Sequence, residues 1–229
     1  MMMLVCAVVL GAPRTSSALS LHVVRDTIST SQKAVSADHV IHFTATQAIP
    51  AEGRITITLP EGMFTVPSGL SVDDIDFGIA TSSDYEQRTI GAVADAFTDG
   101  VAITSGTSGS FAITLNSTTG VAAGERVEVR IGTVATHSVL GTTRIINPSA
   151  TGSYRIRIGT ADAGGMPIDT ATAMIAIVEQ VGISVRPMSF EAIRSQAYPT
   201  GEIAAGNDTI EISLVTDQFA TCRYSTFPN

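Results

Sequence analysis

The chain has 229 residues, a formal net charge of -8 and 44% hydrophobic against 15% charged residues. This balance excludes intrinsic disorder, which requires high charge and low hydrophobicity. Lys33 is the only lysine and the arginines are scattered, which argues against a nucleic-acid-binding protein, because such proteins cluster their basic residues. Twenty glycines, abundant Thr and Ser and no Trp indicate β structure with many turns.

The N-terminal segment has the pattern of a secretory signal. Residues 1–10 are apolar, and Ser16 and Ala18 stand at the -3 and -1 positions of a cleavage site before Leu19. No basic residue precedes the apolar run, and the run is too short to span a membrane. The sequence therefore predicts a signal peptide over residues 1–18.

Two cysteines are present, Cys6 and Cys222. Because Cys6 lies in the predicted signal peptide, we expect the mature chain to keep one thiol and no internal disulfide. A large sandwich core makes export without disulfides feasible.

Two segments with the same pattern, residues 49–60 and 121–132, indicate the architecture. In each, a loop of small residues leads into a strand with alternating apolar and polar positions. The strand at 54–59 buries Ile55, Ile57 and Leu59. The second is expected to bury Val127, Val129 and Ile131 and to expose Arg126, Glu128 and Arg130. Such strands build antiparallel sandwiches.

Further strands follow at short intervals, separated by turn-forming residues. We predict strands at 21–28, 39–46, 54–59, 72–79, 101–104, 110–115, 126–134, 153–160 and 171–178. The only helical candidate is a turn or two at 90–97. The predicted fold is therefore all-β, an antiparallel Ig-like β-sandwich over residues 19–180.

The last part of the chain indicates a second unit. Residues 181–185 predict a connecting strand, Pro187 and Pro199 break the chain, and residues 209–215 alternate again. A sandwich usually takes about 100 residues, more than remain here. We therefore expect residues 181–229 to form a linker and an incomplete second Ig-like domain.

Several short motifs resemble a known group of proteins. Residues 146–148 (INP), 152–158 (GSYRIRI) and 175–178 (IAIV) resemble β-sandwich modules, Ig-like or fibronectin-like, in large exported surface proteins of uncultured bacteria. Residues 220–225 (ATCRYS) resemble the opening of the repeats that often follow such modules. The resemblance covers about residues 26–185 and this tail. It implies a secreted or cell-surface location and provides no catalytic residues.

Motifs for catalysis are missing from the sequence. It contains no Gly-x-Ser-x-Gly elbow, no P-loop and no dinucleotide-binding glycine motif. The histidines are His22, His39, His42 and His137. His39 and His42 are three apart on one predicted strand, so they face opposite sides and cannot hold the same zinc ion. His42 is expected on the solvated face. We predict that the chain is not an enzyme.

The densest acidic cluster comprises Asp73, Asp74 and Asp76, and it is the candidate metal site. Calcium prefers several oxygen ligands, and Asp84, Asp95 and Asp99 in the next segment could add to them. The alternation, however, places Asp74 and Asp76 on the solvated face of the strand at 72–79, where charge also discourages edge-to-edge pairing. We expect this solvated face, and no metal, with calcium as the alternative.

The predicted function is a non-catalytic exported structural module, a spacer, stalk or adhesive module of a bacterial surface protein. The alternative is a calcium- or carbohydrate-binding accessory module, although a chain without Trp and with four Tyr offers few aromatic platforms for sugars. The expected partners are neighbouring domains of the same surface protein and cell-surface ligands. No nucleic acid and no membrane span in the mature chain are expected.

Overall fold

The computed structural model describes residues 20–80, 82–137 and 139–179, and the backbone alone of residues 19, 194–198 and 213–216. The chain divides into two compact units, with the boundary between Val181 and Gly182. The predicted signal peptide at 1–18, Cys6, the predicted connecting strand at 181–185 and Cys222 lie outside the described residues.

The described residues form strands, one turn of 3-10 helix at Val72–Asp74, and no α-helix. In chain order the strands are β1 Leu19–Ser20, β2 His22–Ile28, β3 Ser36–Ala37, β4 His39–Thr44, β5 Arg54–Thr58, β6 Ile75–Ala80, β7 Glu86–Gln87, β8 Ile90–Gly91, β9 Asp99–Thr104, β10 Ser110–Thr114, β11 Arg126–Ile131, β12 Ile145–Ile146, β13 Gly152–Ala161, β14 Pro167–Ile177, β15 Arg194–Tyr198 and β16 Ser213–Thr216.

The first unit is built on two sheets. One has seven strands in the order β1-β14-β13-β5-β10-β9-β8, and the other has five in the order β2-β4-β11-β6-β7. All pairs within them are antiparallel except β1 with β14 and β8 with β9. One buried hydrophobic cluster contains residues of both sheets, such as Ile57 and Phe111 from the first and Phe43, Phe77 and Val129 from the second. The all-β antiparallel sandwich is confirmed.

The alternation of apolar residues fixes the register of the central strands. Ile55 and Ile57 of β5 are fully buried and lie opposite Ile113 and Phe111 of β10. A shift by one residue would carry this apolar face to solvent, at about 1.5–3 kcal/mol for each large side chain. Ile158 of β13, which lies opposite Ile57 on its other side, is buried in the same way.

The two similar segments contact each other through their loops. Ile49, before β5, and Val121, before β11, exchange two backbone hydrogen bonds of 2.8 Å. β5 and β11 belong to different sheets, so this bridge ties the sheets together at one end. Gly120 allows the approach, because a Cβ there would lie 2.2 Å from the carbonyl oxygen of Ile49.

Two predicted elements differ from the structure in type, and the other predicted strands of the first unit differ from it at their ends. The predicted strand at 72–79 begins as the 3-10 turn, because Ser71 caps it and Asp74 reaches back to the Ser71 N–H in a capping box. The predicted helical turn at 90–97 is wrong. Ile90 and Gly91 form β8, and the carboxylate of Asp95 then accepts the backbone N–H groups of Phe97 and Thr98 in a tight turn.

The described part of the second unit is one antiparallel pair, β15 with β16. The predicted strand at 209–215 overlaps β16, and residues 209–212 lie outside the described part. The incomplete second Ig-like domain stays a prediction.

Candidate functional site

A row of polar side chains crosses the outer face of the five-stranded sheet. The row follows the register: Arg25 of β2 lies opposite His42 of β4, and His42 lies opposite Glu128 of β11. Glu128 lies opposite Gly78 of β6, which in turn lies opposite Gln87 of β7. We call the side chains of Arg25, His42, Glu128, Gln87 and Arg130 the polar row. Strand alternation sends them outward, because their neighbours on β4 and β11, such as Phe43 and Val129, fill the core.

Hydrogen bonds link the polar row continuously. The Nε of Arg25 donates to Nδ1 of His42 at 3.2 Å, and Nε2 of His42 lies 2.9 Å from Oε2 of Glu128. The other oxygen of Glu128 forms an ion pair with Arg130, whose Nε lies 2.8 Å away, and accepts a hydrogen bond from the Gln87 amide at 3.4 Å. Because Arg25 donates to Nδ1, the imidazole hydrogen is on Nε2 and points at Glu128. Both ring nitrogens are therefore engaged.

The electrostatics keep His42 neutral. Burial lowers the pKa of His42 below 6.5, and the nearby positive charges of Arg25 and Arg130 lower it further. The hydrogen bond to Glu128 and its charge raise this pKa, but the net direction is down. A neutral imidazole with both nitrogens occupied offers no lone pair to a metal and no free base to a nucleophile.

Glu128 corrects a sequence-based expectation. It was expected in solvent with Arg126 and Arg130, yet only 4% of it is exposed. Glu128 lies on the predicted face of β11, but the side chains of His42, Arg130 and Gln87 contact it there and cover it. Gly78 contributes, because a Cβ there would lie 2.8 Å from the Gln87 amide nitrogen that reaches across to Glu128.

A cavity of about 170 Å³ opens beside the polar row. Its lining includes Arg25, His42, Tyr85, Arg126 and the exposed Val23. The guanidinium of Arg126 lies over the Tyr85 ring, 5.1 Å from its centroid, and the Tyr85 and His42 rings are 5.4 Å apart. Nη2 of Arg126 is buried and has no hydrogen-bond acceptor among the described residues. Strand alternation predicts only that Arg126 is solvated, and it gives no sign of this cavity, because the cavity depends on residues of β2, β4 and the segment before β7.

A second depression, of about 340 Å³, lies beside β7 and includes Arg88 and Gly120 in its lining. The guanidinium of Arg88 donates to the carbonyl oxygens of Thr119 and Gly120 and to the carboxylate of Asp99. Its charge is thus used within the fold.

The expected opposition of His39 and His42 is confirmed. His39 faces the core, its side chain is fully buried, and its Nδ1 lies 2.7 Å from Oδ2 of Asp26, which is equally buried. His42 faces outward. The two histidines share no site, as the spacing predicts.

Asp74 and Asp76 are not on a solvated face, and that prediction is wrong. They are 2% and 4% exposed, because the segment after β11 folds over the outer face of β6. Asp76 accepts the backbone N–H groups of Thr136 and His137, the shorter at 2.7 Å. Asp73, in contrast, is exposed.

Asp74 holds the next part of the same segment. One oxygen accepts the backbone N–H groups of Thr142 and Thr143 at 2.6 and 2.8 Å, and the other accepts from Ser71. Burial raises the pKa of Asp74, but these hydrogen bonds from Ser71, Thr143 and Thr142 outweigh it and lower the pKa below 3.8. The carboxylate is an acceptor for a folded segment, with N–H donors where a calcium ion would need oxygens.

The other candidate calcium ligands lie apart from this cluster. Asp84 is exposed, and Asp95 holds its own turn. Asp99 is fully buried, where Arg88 and the Asn116 N–H each donate at 2.7 Å. Burial raises the pKa of Asp99 above 3.8 despite these two donors. Within the described part of the chain, no group of three or more His, Cys, Asp or Glu residues is arranged to hold a metal ion.

Within the ranges that the structure describes, no helix has the length and apolar character needed to cross a bilayer.

Comparisons with known proteins give distant structural similarity only. No protein-family model and no curated protein match the chain. A collagen-binding domain of a Staphylococcus aureus adhesin matches 67% of this chain and 95% of its own, at 6% identity and a TM-score of 0.34. ACE19, the collagen-binding subdomain of the Enterococcus faecalis surface protein ACE, also matches 67% of this chain and 95% of its own, at 9% identity and a TM-score of 0.34. AvmM, which catalyses macrocyclization in alchivemycin A biosynthesis, matches 68% of this chain and 89% of its own, at 10% identity and a TM-score of 0.30. Similarity this distant carries no argument about activity.

Proposed function

We propose that the sandwich is a non-catalytic structural module, a spacer or stalk, of an exported surface protein. The observation that carries the proposal is the use of polar groups within the fold. His42 has both nitrogens engaged, and Asp74 and Asp76 accept backbone N–H groups. A catalytic or metal centre needs groups left available for substrate or ion. Here the candidates serve the fold, so we propose that the module needs no cofactor.

Other buried carboxylates support the same proposal. Asp38 accepts from the backbone N–H and the hydroxyl of Thr133, at 2.6 and 2.9 Å. Asp169 of β14 accepts from the Thr46 hydroxyl at 2.6 Å and from the Gln47 side chain, which follow β4 in the other sheet. Each carboxylate fastens a segment that is distant in sequence, as suits a module whose task is to keep its shape.

Export is the part of this proposal that rests on the sequence. The predicted signal peptide and the resemblance to modules of large exported surface proteins of bacteria support it, and the expected neighbours are domains of the same surface protein. The test is to express the full chain in a bacterial host and sequence the N-terminus of the protein from the surface and medium fractions. We expect the chain to begin at Leu19. A chain that stays in the cytoplasm and retains Met1 would contradict the proposal.

A glycan array tests the carbohydrate alternative. The fold leaves few aromatic faces for sugars, since Tyr85 is already packed against Arg126 and His42. We expect no glycan to bind the full chain. Saturable binding to a neutral glycan would replace the spacer with a carbohydrate-binding module.

A further inference from the structure

The cavity beside the polar row is lined by two positive charges. Arg25 and Arg126 both line it, and among the residues that the structure describes no carboxylate is part of the lining. The ion pairs of the described residues include neither arginine. Arg25 donates only to the neutral His42 ring.

The guanidinium of Arg126 lacks an acceptor that it needs. Its Nη2 is buried without a hydrogen-bond partner among the residues that the structure describes. A buried donor without an acceptor is destabilising, and a charged donor more so. Stacking over Tyr85 holds the guanidinium in place but supplies no acceptor. The Nη2 atom itself is closed to solvent, so what favours an anion in the cavity is the positive charge of Arg126 and of the exposed Arg25 that line it.

We propose that this cavity binds a single carboxylate, the side chain of a glutamate on an otherwise neutral segment of a partner protein. The planar fork of a guanidinium matches the two oxygens of a carboxylate, and Arg25 adds a second positive charge. Val23, 74% exposed at the rim, offers an apolar contact for the methylene stem of a glutamate side chain. The volume of about 170 Å³ suits such a group and little more.

The surroundings favour a protein carboxylate over an acidic sugar or a polyanion. A sugar ring stacks on a free aromatic face, but Arg126 and His42 already pack against Tyr85. A polyanion would meet the net negative charge of the chain beyond this cavity. A single carboxylate on an otherwise neutral segment avoids both obstacles. This inference goes beyond the spacer role proposed above, which does not depend on it.

The test uses the full chain and a capped tripeptide, acetyl-Gly-Glu-Gly-amide, titrated by NMR, with the Gln tripeptide as the ligand control. We expect the Glu peptide to shift signals around Arg126 and to bind at least tenfold more tightly than the Gln peptide. Arg126→Gln should weaken binding at least tenfold. Arg155→Gln, which removes the same charge from an exposed position on the other sheet, should leave it unchanged.

Arg126→Lys is a second variant in case Arg126→Gln fails to fold, because lysine keeps the positive charge but lacks the planar guanidinium. We expect binding weakened to a smaller extent than in Arg126→Gln. Equal effects of Arg126→Gln and Arg155→Gln would overturn the proposal. So would tighter binding of N-acetylneuraminic acid than of the Glu peptide, since the ligand would then be an acidic sugar. The first outcome leaves the spacer proposal standing, since location and the array test that proposal separately. The second would instead favour the carbohydrate-binding alternative.

Discussion

At the scale of single residues, buried carboxylates organise this protein. Asp74 and Asp76 lie two positions apart on the outer side of β6 and its 3-10 turn, and each holds a different part of the segment after β11. Such bonds from backbone N–H groups to a charged acceptor are about twice as strong as neutral ones. Two of the three carboxylates in the acidic cluster that resembles a calcium site, Asp74 and Asp76, thus anchor one connection.

Replacing Asp74 should therefore destabilise the fold. Asp74→Ala would leave the N–H groups of Ser71, Thr142 and Thr143 without their acceptor, and we expect the free energy of unfolding to fall by about 2–3 kcal/mol. Asp73→Ala is the matched control, because Asp73 is exposed, and it should change that energy by less than about 0.5 kcal/mol. Chemical denaturation measures the free energy of unfolding of both variants and so tests the difference between them. Similar losses from the two would disprove the anchoring role.

His42 gives stability a defined dependence on pH. Its pKa is lowered from 6.5 in the folded state, so below that pH the unfolded chain binds more protons than the folded one. The contribution of His42 is complete above pH 6.5 and is lost as the pH falls below it. The charged groups that face the ring are Arg25, Glu128 and Arg130, with Arg126 beyond Tyr85.

We expect the free energy of unfolding to decrease from pH 7.5 to pH 5.5, and His42→Gln to reduce this slope. The glutamine side chain still accepts from Arg25 and donates to Glu128 but does not titrate. The lowered pKa of Asp74 acts separately, since its contribution is lost only as the pH falls below about 3.8. If His42→Gln left the slope unchanged, the histidine would not be the titrating group.

At the scale of elements, the bridge between Ile49 and Val121 joins the two similar segments. The sequence shows two loop-and-strand units, and the structure places them in opposite sheets with their loops hydrogen-bonded. Gly120 is the residue that makes the approach possible, because the space for a side chain is taken by the backbone of Ile49 and Ala51.

Gly120→Ala should break this bridge. A Cβ 2.2 Å from a backbone oxygen forces the loops apart, and we expect a loss of at least about 2–3 kcal/mol in the free energy of unfolding. Gly159→Ala on β13 is the control, because nothing lies within 4 Å of its added Cβ. It should be neutral or stabilising by up to about 1 kcal/mol. Thermal melting compares them, and equal melting temperatures would show that the close approach is not required.

The central strands were predictable because alternation alone determines them. The predicted strands at 54–59 and 110–115 differ from β5 and β10 by one residue at the end. The two-residue strands β3 and β12 were not predictable, because they have too few residues for a period and depend on pairing with each other. The helical turn predicted at 90–97 is wrong for a related reason. The Asp95 carboxylate fixes a tight turn there, and the spacing of apolar residues does not reveal that contact.

The candidate site was predictable only in part. Alternation predicts that His42 points outward and that His39 points to the opposite side of the strand, and the structure confirms both. It could not show that Glu128, 86 positions away, binds His42, because that contact depends on which strands are neighbours. Nor could it show that the segment after β11 covers Asp76, because alternation distinguishes the two faces of a strand but not what covers each face.

At the scale of the whole molecule, the sandwich combines one hydrophobic core with carboxylates that fasten its connections. Asp169 ties β14 of the seven-stranded sheet to the residues after β4 of the five-stranded sheet. Asp38 similarly holds Thr133 after β11. Hydrogen bonds from these carboxylates thus hold connections of both sheets in place.

Thermal unfolding in chelator and in calcium tests this account most directly. Extracellular calcium modules bind at about 10⁻⁴–10⁻³ M, so roughly 10 mM free calcium would stabilise such a module by about RT ln 11, or ~1.4 kcal/mol. We expect the full chain to melt at the same temperature in both conditions. A stabilisation of that size, abolished by Asp73→Ala or Asp76→Asn, would contradict the account and show a calcium-binding module.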